Sequence, residues 1–286
     1  MKILLTGAAG FTGRFFMTAA KAAGHQVFVL QANLTDKSAV NDEVARAQPD
    51  AVAHLAAISF VGHADESAFY AVNVVGTTNL LAALSALPVR PSSVLLASSA
   101  NVYGNCDASP INEEQAPAPV NHYAMSKLAM EHMAWTYQDR LPIVITRPFN
   151  YTGHGQAPQF LIPKLVSHFA RRAEQIELGN LHVEREFNDV RMVCKAYLAL
   201  LEYGVPGQVY NVCSGQPFTL QHVIDNLEKL TEHSMLIKVN PAFVRANEVH
   251  RLCGNPSKLL ACLGHLGGVK SNSLPDTLSW MLESHT

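Results

Sequence analysis

A tyrosine and a lysine four residues apart are the first side chains in this sequence with a clear chemical use. In Tyr123-Ala124-Met125-Ser126-Lys127 the spacing puts both on one face of a helix. A cation beside a phenol favours the phenolate, so the phenol can give or take a proton near neutral pH. The spacing alone is equally typical of a surface helix pair. Ser98-Ser99 adds hydroxyls that can bind a carbonyl oxygen, although such pairs are also common in turns.

Three glycines near the N-terminus predict a phosphate-binding turn. Gly7, Gly10 and Gly13 lie in Gly7-Ala8-Ala9-Gly10-Phe11-Thr12-Gly13, after an apolar run and before a helical pattern. Glycine allows a tight turn that brings backbone N–H groups close to a pyrophosphate, and a helix N-terminus favours that charge. The turn therefore predicts a site for a nicotinamide dinucleotide.

The end of the second predicted strand leaves the choice of dinucleotide open. An acidic residue at this place binds the ribose hydroxyls of adenosine in many dinucleotide sites. Here the strand ends Leu30-Gln31-Ala32-Asn33, with neither an acid nor a base for a 2′-phosphate, and the nearest base is Arg14. The expected cofactor is therefore NADP or NAD.

A parallel sheet must position these residues. In the first half, apolar runs at 2–6, 26–30, 51–55, 93–97 and 143–146 alternate with helical patterns at 11–23, 36–47, 64–87 and 123–140. This alternation predicts an α/β fold with a doubly wound parallel sheet covered by helices on both faces. Ser98-Ser99 would then follow the fourth strand at the carboxyl edge of the sheet, where such folds bind ligands.

The second half has a less regular pattern. Glycine and proline crowd residues 151–163, and one more strand is expected at 209–212 and a helix at 220–231. We expect a dinucleotide-binding domain over residues 1–150 with a return segment at about 187–212. A smaller α/β substrate-binding domain is expected over 151–186 and 213–286.

Composition excludes several classes of function. The chain has 286 residues, of which 48% are apolar and 15% charged, so a packed globular protein is expected. The net charge of −2 predicts neither nucleic acid nor an anionic membrane as partner. Five scattered cysteines argue against a disulfide framework and against a metal site. No apolar run reaches the roughly 18 residues that span a bilayer, and a cytoplasmic protein is expected.

The order of the motifs resembles the extended short-chain dehydrogenases/reductases of the NAD-dependent epimerase/dehydratase type. The matching pieces are the glycine turn, His54-Leu55-Ala56-Ala57, Asn73-Val74-Val75-Gly76-Thr77, the segment 98–104 and the segment 123–127. They follow the family's order and cover the first half almost continuously. The resemblance implies a Rossmann sheet and an NAD(P)-dependent oxidoreductase.

The resemblance also implies roles for individual residues. Ser99 would orient the substrate oxygen, Tyr123 would exchange the proton, and Lys127 would hold the nicotinamide ribose and lower the tyrosine pKa. Asn73 would be a supporting residue, although it also suits an ordinary polar helix position. The implied cofactor-binding set is spread along the first half and comprises Gly7, Gly10, Phe11, Thr12, Gly13, Asn33, Leu34, Leu55, Ala56, Ala57, Asn73, Tyr123 and Lys127.

The family resemblance narrows the reaction and the substrate. Ala100-Asn101 stands where family dehydratases carry an acid, so dehydration is not expected. The segments 178–187 and 241–258 resemble those of enzymes that act on GDP-sugars, in particular GDP-6-deoxy-4-keto-mannose reductases. The implied substrate-binding residues include a pyrophosphate clamp of two arginines and a ribose-binding glutamate, and they comprise Ser99, Asn101, Asn150, Asn180, Arg185, Arg245 and Glu248.

The resemblance thus implies reduction of the C4 ketone of a GDP-4-dehydro-6-deoxy-hexose, forming GDP-D-rhamnose or its C4 epimer. One alternative is a nucleotide-sugar 4-epimerase that keeps NAD bound. A second is a non-catalytic dinucleotide sensor, which would have no need of Tyr123 and Lys127. Members of the family often pair through the helices that correspond to 64–87 and 123–140, so a homodimer is expected.

Overall fold

The fold is built on a six-stranded sheet in which every neighbouring pair of strands is parallel, in the order β10 (Val209–Val212), β5 (Ile143–Pro148), β4 (Ser93–Ala97), β3 (Ala51–His54), β1 (Lys2–Thr6) and β2 (Gln26–Val29). The computed structural model describes residues 1–181, 183–243, 250–269 and 271–283. The strands are β1 (Lys2–Thr6), β2 (Gln26–Val29), β3 (Ala51–His54), β4 (Ser93–Ala97), β5 (Ile143–Pro148), β6 (Tyr151–Thr152), β7 (Gln175–Leu178), β8 (Glu184–Arg185), β9 (Asn188–Asp189), β10 (Val209–Val212), β11 (Phe218–Thr219), β12 (Leu236–Val239) and β13 (Arg251–Leu252).

Helices connect these strands and cover the sheet. They are α1 (Phe11–Ala22), α2 (Lys37–Ala47), α3 (Glu66–Tyr70), α4 (Thr77–Ser85), α5 (His122–Trp135), α6 (Leu161–Ala170), α7 (Val190–Tyr203), α8 (Leu220–Thr231), α9 (Ser257–Leu263) and α10 (Leu274–Glu283). A π-helix, Ala71–Gly76, joins α3 to α4, and short 3-10 helices lie at Ala100–Tyr103, Pro241–Phe243 and Gly264–Leu266. The strands and helices that the sequence predicts in the first half are present, but the helix expected at 64–87 is divided into α3, the π-helix and α4, and the one expected at 123–140 ends at Trp135.

Each face of the sheet has its own apolar core. Alternate residues of a strand point to opposite faces, so Ile3 and Leu5 of β1 pack in one core and Leu4 packs in the other. Helices α1 and α7 cover the first face, and α2, α4 and α5 cover the second. This layering confirms the predicted doubly wound α/β fold.

A third core lies outside the sheet, between α6, α8 and α10. Short strands surround it: β12 pairs with β7, and β8 lies between β11 and β13. The chain returns to the main sheet in between, because α7 packs against α1 and β10 pairs with β5. From the last segment, α9 contributes Leu259 and Leu263 to the core under α1 and α7. The exact domain division stays a prediction.

The helical stretch Glu66–Ser85 lies within the helix that the sequence predicts over 64–87. It has 20 residues, and by length and composition alone it is comparable to a membrane-spanning helix. Polar residues interrupt its apolar run, so the sequence shows no unbroken apolar run of this length. Leu80, Leu81 and Leu84 are fully buried in the core beneath α2 and α5, and this packing accounts for the apolar character of α4.

Candidate active site

The glycine turn between β1 and α1 leaves no room for side chains. Gly7 has a φ of +72°, and a Cβ there would lie 2.7 Å from the backbone nitrogen of Ala56. A Cβ on Gly13 would lie 2.1 Å from the carbonyl oxygen of Gly7. Gly10 precedes α1 without a side-chain cap, and the first turn of α1 holds no acid. The N–H groups of that turn can therefore receive a phosphate, as a dinucleotide site requires.

A cavity of about 250 Å³ opens beside this turn, at the carboxyl edge of the sheet. Residues from both halves of the chain line it, and those of the sequence-predicted set are Gly7, Gly10, Phe11, Thr12, Gly13, Leu55, Ala57, Ser99, Asn101, Tyr123, Lys127 and Asn150. The fold thus brings the glycine turn, the predicted catalytic residues and the predicted substrate residues Asn101 and Asn150 into a single cavity.

The two serines after β4 face different partners. Ser98 donates to the carboxylate of Glu131 at 2.5 Å. Ser99 begins the 3-10 helix Ala100–Tyr103, and its Oγ accepts from the backbone and the side-chain amide of Asn101, each at 3.2 Å. Because both Asn101 groups are donors, the Ser99 hydroxyl has its own proton left for another oxygen, such as that of Tyr123 or of a bound substrate. This geometry supports Ser99 as the member of the pair that acts on substrate.

Tyr123 and Lys127 lie on the buried face of α5, which Asn121 caps through the backbone nitrogen of Ala124. Burial raises the pKa of the Tyr123 phenol, and a hydrogen bond with Ser99 opposes that rise. Burial lowers the pKa of Lys127 to about 8, against the attraction of Glu131. The Lys127 Nζ donates to the carbonyl oxygen of Ala97 at 2.7 Å.

One expectation about the pair stays a prediction. Lys127 was expected to lower the tyrosine pKa; here burial is the largest cause at Tyr123, and the ammonium of Lys127 is held at a backbone carbonyl. A tyrosine with a raised pKa is protonated at neutral pH. That is the form a general acid needs when a ketone is reduced.

Asn73 is a supporting residue that does not reach the cavity. It lies in the π-helix, a distortion often found near functional sites, and is 1% exposed. Its Oδ1 accepts from the backbone nitrogen of Ile58 at 3.0 Å, and its Nδ2 donates to the Ser126 hydroxyl at 3.0 Å. It therefore joins the loop after β3 to α5. This geometry indicates a structural link rather than the direct contact with the cofactor that the sequence implied.

The end of β2, where adenosine is expected, lies outside the cavity together with Asn33, Leu34 and Ala56. Asn33 is occupied by a local turn, because its Oδ1 accepts from the backbone and hydroxyl of Thr35. The sequence pattern shows no acid at the end of β2, but the fold brings one there from another element. Glu43 of α2 accepts from the backbone nitrogen of Gln31 at 2.8 Å.

Two of the four predicted nucleotide-recognition residues, Asn180 and Arg185, lie on elements outside the catalytic cavity. Asn180 follows β7, and Arg185 lies on β8, where its guanidinium donates to the Glu184 carbonyl at 2.8 Å. Neither lines the cavity. Arg245 and Glu248 lie outside the described residues.

Tyr151 is a cavity residue that sequence reasoning missed. Its hydroxyl is 2.8 Å from the Thr12 hydroxyl, and its ring stacks on Phe11 with centroids 6.1 Å apart. Gln156 and Phe160 also line the cavity. The only signal in the sequence was the position of Tyr151 directly after Asn150, in a stretch that the glycines and prolines marked as a loop.

Comparison with known proteins identifies the family. Residues 3–213 match the model of the NAD dependent epimerase/dehydratase family. The chain belongs to this family. It is 37% identical to a GDP-6-deoxy-D-talose 4-dehydrogenase from Aggregatibacter actinomycetemcomitans, over 93% of this chain and 92% of the relative. It is 36% identical to a GDP-6-deoxy-D-mannose reductase from Pseudomonas aeruginosa, over 90% of this chain and 89% of the relative.

A solved structure supports the same assignment. RMD from Pseudomonas aeruginosa, complexed with NADPH, is 32% identical and superposes with a TM-score of 0.91, covering 99% of this chain and 98% of the other. The protein is therefore an NAD(P)-dependent oxidoreductase of the extended short-chain dehydrogenase/reductase type, and its cofactor is NAD or NADP.

Proposed function

We propose that the protein reduces the C4 ketone of GDP-4-dehydro-6-deoxy-D-mannose, forming GDP-D-rhamnose or its C4 epimer. The observation that carries the proposal is the cavity itself. It joins the glycine turn to Ser99, Tyr123 and Lys127, and it holds Asn101 where a dehydratase would need an acid. The two relatives named for GDP-6-deoxyhexoses match about nine-tenths of the chain, so the similarity extends through the substrate-side segments.

In the proposed reaction the protein handles the oxygen and the proton. A bound reduced nicotinamide supplies the hydride for C4. Tyr123 gives its phenolic proton to the oxygen that becomes the hydroxyl, and Ser99 donates a hydrogen bond to the same oxygen. Lys127 contributes a positive charge beside the reacting groups as long as its amine is protonated. Its pKa of about 8 predicts that activity falls as the pH rises through that value.

Recognition of the nucleotide is proposed for the segments after β7 and around β8. The Arg185 guanidinium suits the pyrophosphate, and Asn180 suits the base. Arg245 and Glu248 are proposed for the pyrophosphate and the ribose on the sequence resemblance alone. Asn150, which lines the cavity, is proposed to contact the sugar end. Binding through GDP would hold the ketone near Tyr123, so orientation would supply much of the rate.

We also propose that the protein is a cytoplasmic homodimer that pairs through the helical stretch Glu66–Ser85 and α5. Val75 and Met125 lie on these two elements and are large apolar residues with exposed fractions of 52% and 44%. Covering such side chains favours association. Analytical ultracentrifugation tests the proposal, and introducing a charge at both positions should yield a monomer.

The experiment that tests the proposed activity is a cofactor-consumption assay with product NMR. The purified protein is given GDP-4-dehydro-6-deoxy-D-mannose with NADH or NADPH, and a dTDP-linked 4-keto sugar serves as the comparison substrate. We expect one cofactor oxidised per GDP-sugar reduced, with little turnover of the dTDP substrate. A folded protein that oxidises neither cofactor contradicts the proposal. Tightly bound NAD without net turnover would indicate an epimerase, and binding without any turnover would indicate a sensor.

A further inference from the structure

A buried charged cluster lies directly behind the proposed catalytic residues. Glu131, Arg147 and Ser98, the buried triad, have exposed fractions of 2%, 6% and 3%. Arg147 donates to both carboxylate oxygens of Glu131, at 3.0 Å from Nε and 2.6 Å from Nη2, and Ser98 donates to the same carboxylate at 2.5 Å. Apolar residues of similar volume often stabilise a core as well as a buried ion pair does, so stability alone does not explain this one.

Each member of the triad adjoins one residue of the proposed site. Ser98 precedes Ser99 at the end of β4, Glu131 lies one helical turn after Lys127 on α5, and Arg147 lies three residues before Asn150 near the end of β5. The hydrogen bonds of the triad therefore join the ends of β4 and β5 to the middle of α5. The backbone adds one link, because Ser98 N donates to the carbonyl oxygen of Thr146 on β5.

We propose that Glu131 is a positioning residue for the reaction, which with Ser98 and Arg147 fixes where Ser99 and Lys127 stand. Through Ser98 it orients the peptide that leads into Ser99. Through its place on α5 it supplies the negative charge that faces the Lys127 ammonium. The proposal rests on the proposed roles of Ser99, Tyr123 and Lys127, and it does not depend on which nucleotide sugar is the substrate.

The charges around Lys127 show why Glu131 matters to it. Tyr123, on the same helix, is neutral because burial raises its pKa. His54, at the end of β3, is neutral because burial lowers its pKa to about 3. Arg147, from β5, is paired with Glu131. Among the described residues, Glu131 is thus the group whose charge opposes the effect of burial on the pKa of Lys127.

The test compares Glu131→Gln and Ser98→Ala with two matched controls. Glu174→Gln removes an exposed carboxylate far from the triad, and Ser93→Ala removes a hydroxyl at the opposite end of β4. The holoenzyme is assayed from pH 6 to 10, and the fold of each variant is checked by circular dichroism. The titration of Lys127 is followed separately by ¹⁵N NMR of its Nζ, which Lys127→Met assigns.

We expect Glu131→Gln to lower the pKa of the alkaline limb in the kcat–pH profile by about one unit, because the negative charge opposite Lys127 is lost. The midpoint of the Lys127 titration seen by NMR should fall by the same amount. KM should change little. Ser98→Ala should lower kcat about threefold at every pH, because one hydrogen bond that positions Ser99 is lost. The pKa of the alkaline limb should stay at the wild-type value. Both controls should match the wild type.

Two results would overturn the proposal. One is a folded Glu131→Gln variant with the wild-type limb and NMR midpoint, and the other is Ser98→Ala with the wild-type kcat. If Glu131→Gln does not fold, a double variant with Met in place of Glu131 and Arg147 removes both charges and leaves apolar volume, a change that cores often tolerate. A smaller shift of the limb in the same direction is expected there, because the positive charge of Arg147 is removed together with the negative charge of Glu131. If Tyr123→Phe or Lys127→Met keeps full activity, the proposed catalytic roles fail instead.

Discussion

The catalytic edge of the sheet and the substrate-side segments are built in different ways. At the edge, Ser99, Tyr123 and Lys127 are less than one-tenth exposed, and each lies at the end of a regular element or on a long helix. On the substrate side, β8 and β13 have two residues each, and the arginine on β8 is partly exposed. The reacting groups are held by burial around the cavity, whereas β8 is a short strand whose arginine water can reach.

This difference indicates how the two tasks are divided. Proton transfer requires groups held in place before the substrate arrives, and burial together with hydrogen bonds provides that order. Recognition of a nucleotide requires charged side chains that water can reach, so it suits shorter and more exposed elements. We therefore expect changes at the edge to act on kcat, and changes in the substrate-side segments to act on KM.

Tyr123→Phe should have the largest effect. Without the phenolic proton, kcat should fall about a thousandfold, within the range usual for loss of a general acid. The cofactor affinity should stay near that of the wild type, because the ring still fills its place. Steady-state kinetics and a fluorescence titration of the cofactor measure the two quantities. Tyr203→Phe, at an exposed tyrosine on α7, is the matched control. A Tyr123→Phe variant with normal kcat would contradict the division of tasks between the catalytic edge and the substrate-side segments.

Gly13→Ala should weaken cofactor binding by about tenfold to a hundredfold, because the added Cβ forces the backbone of the turn to shift. That Cβ would lie 2.1 Å from the Gly7 carbonyl oxygen, so a side-chain movement alone offers no relief. Isothermal titration calorimetry with NADH and NADPH measures the loss. Gly264→Ala, where no atom lies within 4 Å of the new Cβ, should bind as the wild type does. Equal affinities for both variants would contradict the geometry of the turn.

Arg185→Met should raise the KM of the nucleotide sugar about tenfold, the usual size for one lost charge-assisted hydrogen bond, with kcat nearly unchanged. This split is the opposite of that expected for Tyr123→Phe, so the pair of variants sharpens the contrast between the two regions. Arg46→Met, on the outer helix α2, removes a comparable charge as a control. A fall in kcat with constant KM would place Arg185 at the catalytic edge instead.

Mild acid should weaken the buried edge through His54. The side chain lies between the hydroxyls of Thr6 and Thr77, and burial lowers its pKa to about 3. Because the folded value lies below the ordinary value of 6.5, its contribution to stability is complete above about pH 6.5. It is lost progressively as the pH falls towards 3, at no more than about 1.4 kcal/mol per pH unit.

Differential scanning calorimetry between pH 7.5 and 5.0 measures this effect, which should amount to a few degrees in Tm. His54→Gln should flatten the dependence, although its stability at pH 7.5 will be lower. His132→Gln, at an exposed histidine of α5, should leave the wild-type slope. The same slope in all three proteins would show that His54 does not carry the acid sensitivity.

The parts predicted from sequence are those that depend on neighbours along the chain. The glycine turn, the helix with Tyr123 and Lys127, and the sheet strands follow from local spacing, so the first half of the fold could be predicted. The bond between Tyr151 and Thr12 joins residues 139 positions apart, and Glu43 reaches β2 from a separate helix. Likewise, the pKa direction at Tyr123 depends on burial by several elements. Such effects arise only when the chain has folded.

The most direct test of the central claim follows the hydride itself. The protein is incubated with GDP-4-dehydro-6-deoxy-D-mannose and a reduced cofactor in which both hydrogens of the hydride-donating nicotinamide carbon are deuterium, and the product is examined by NMR. The account predicts one deuterium at C4 of the sugar for each cofactor oxidised, and loss of this transfer in Tyr123→Phe. A product without deuterium at C4, or a cofactor that stays reduced in the presence of the folded protein, would contradict it.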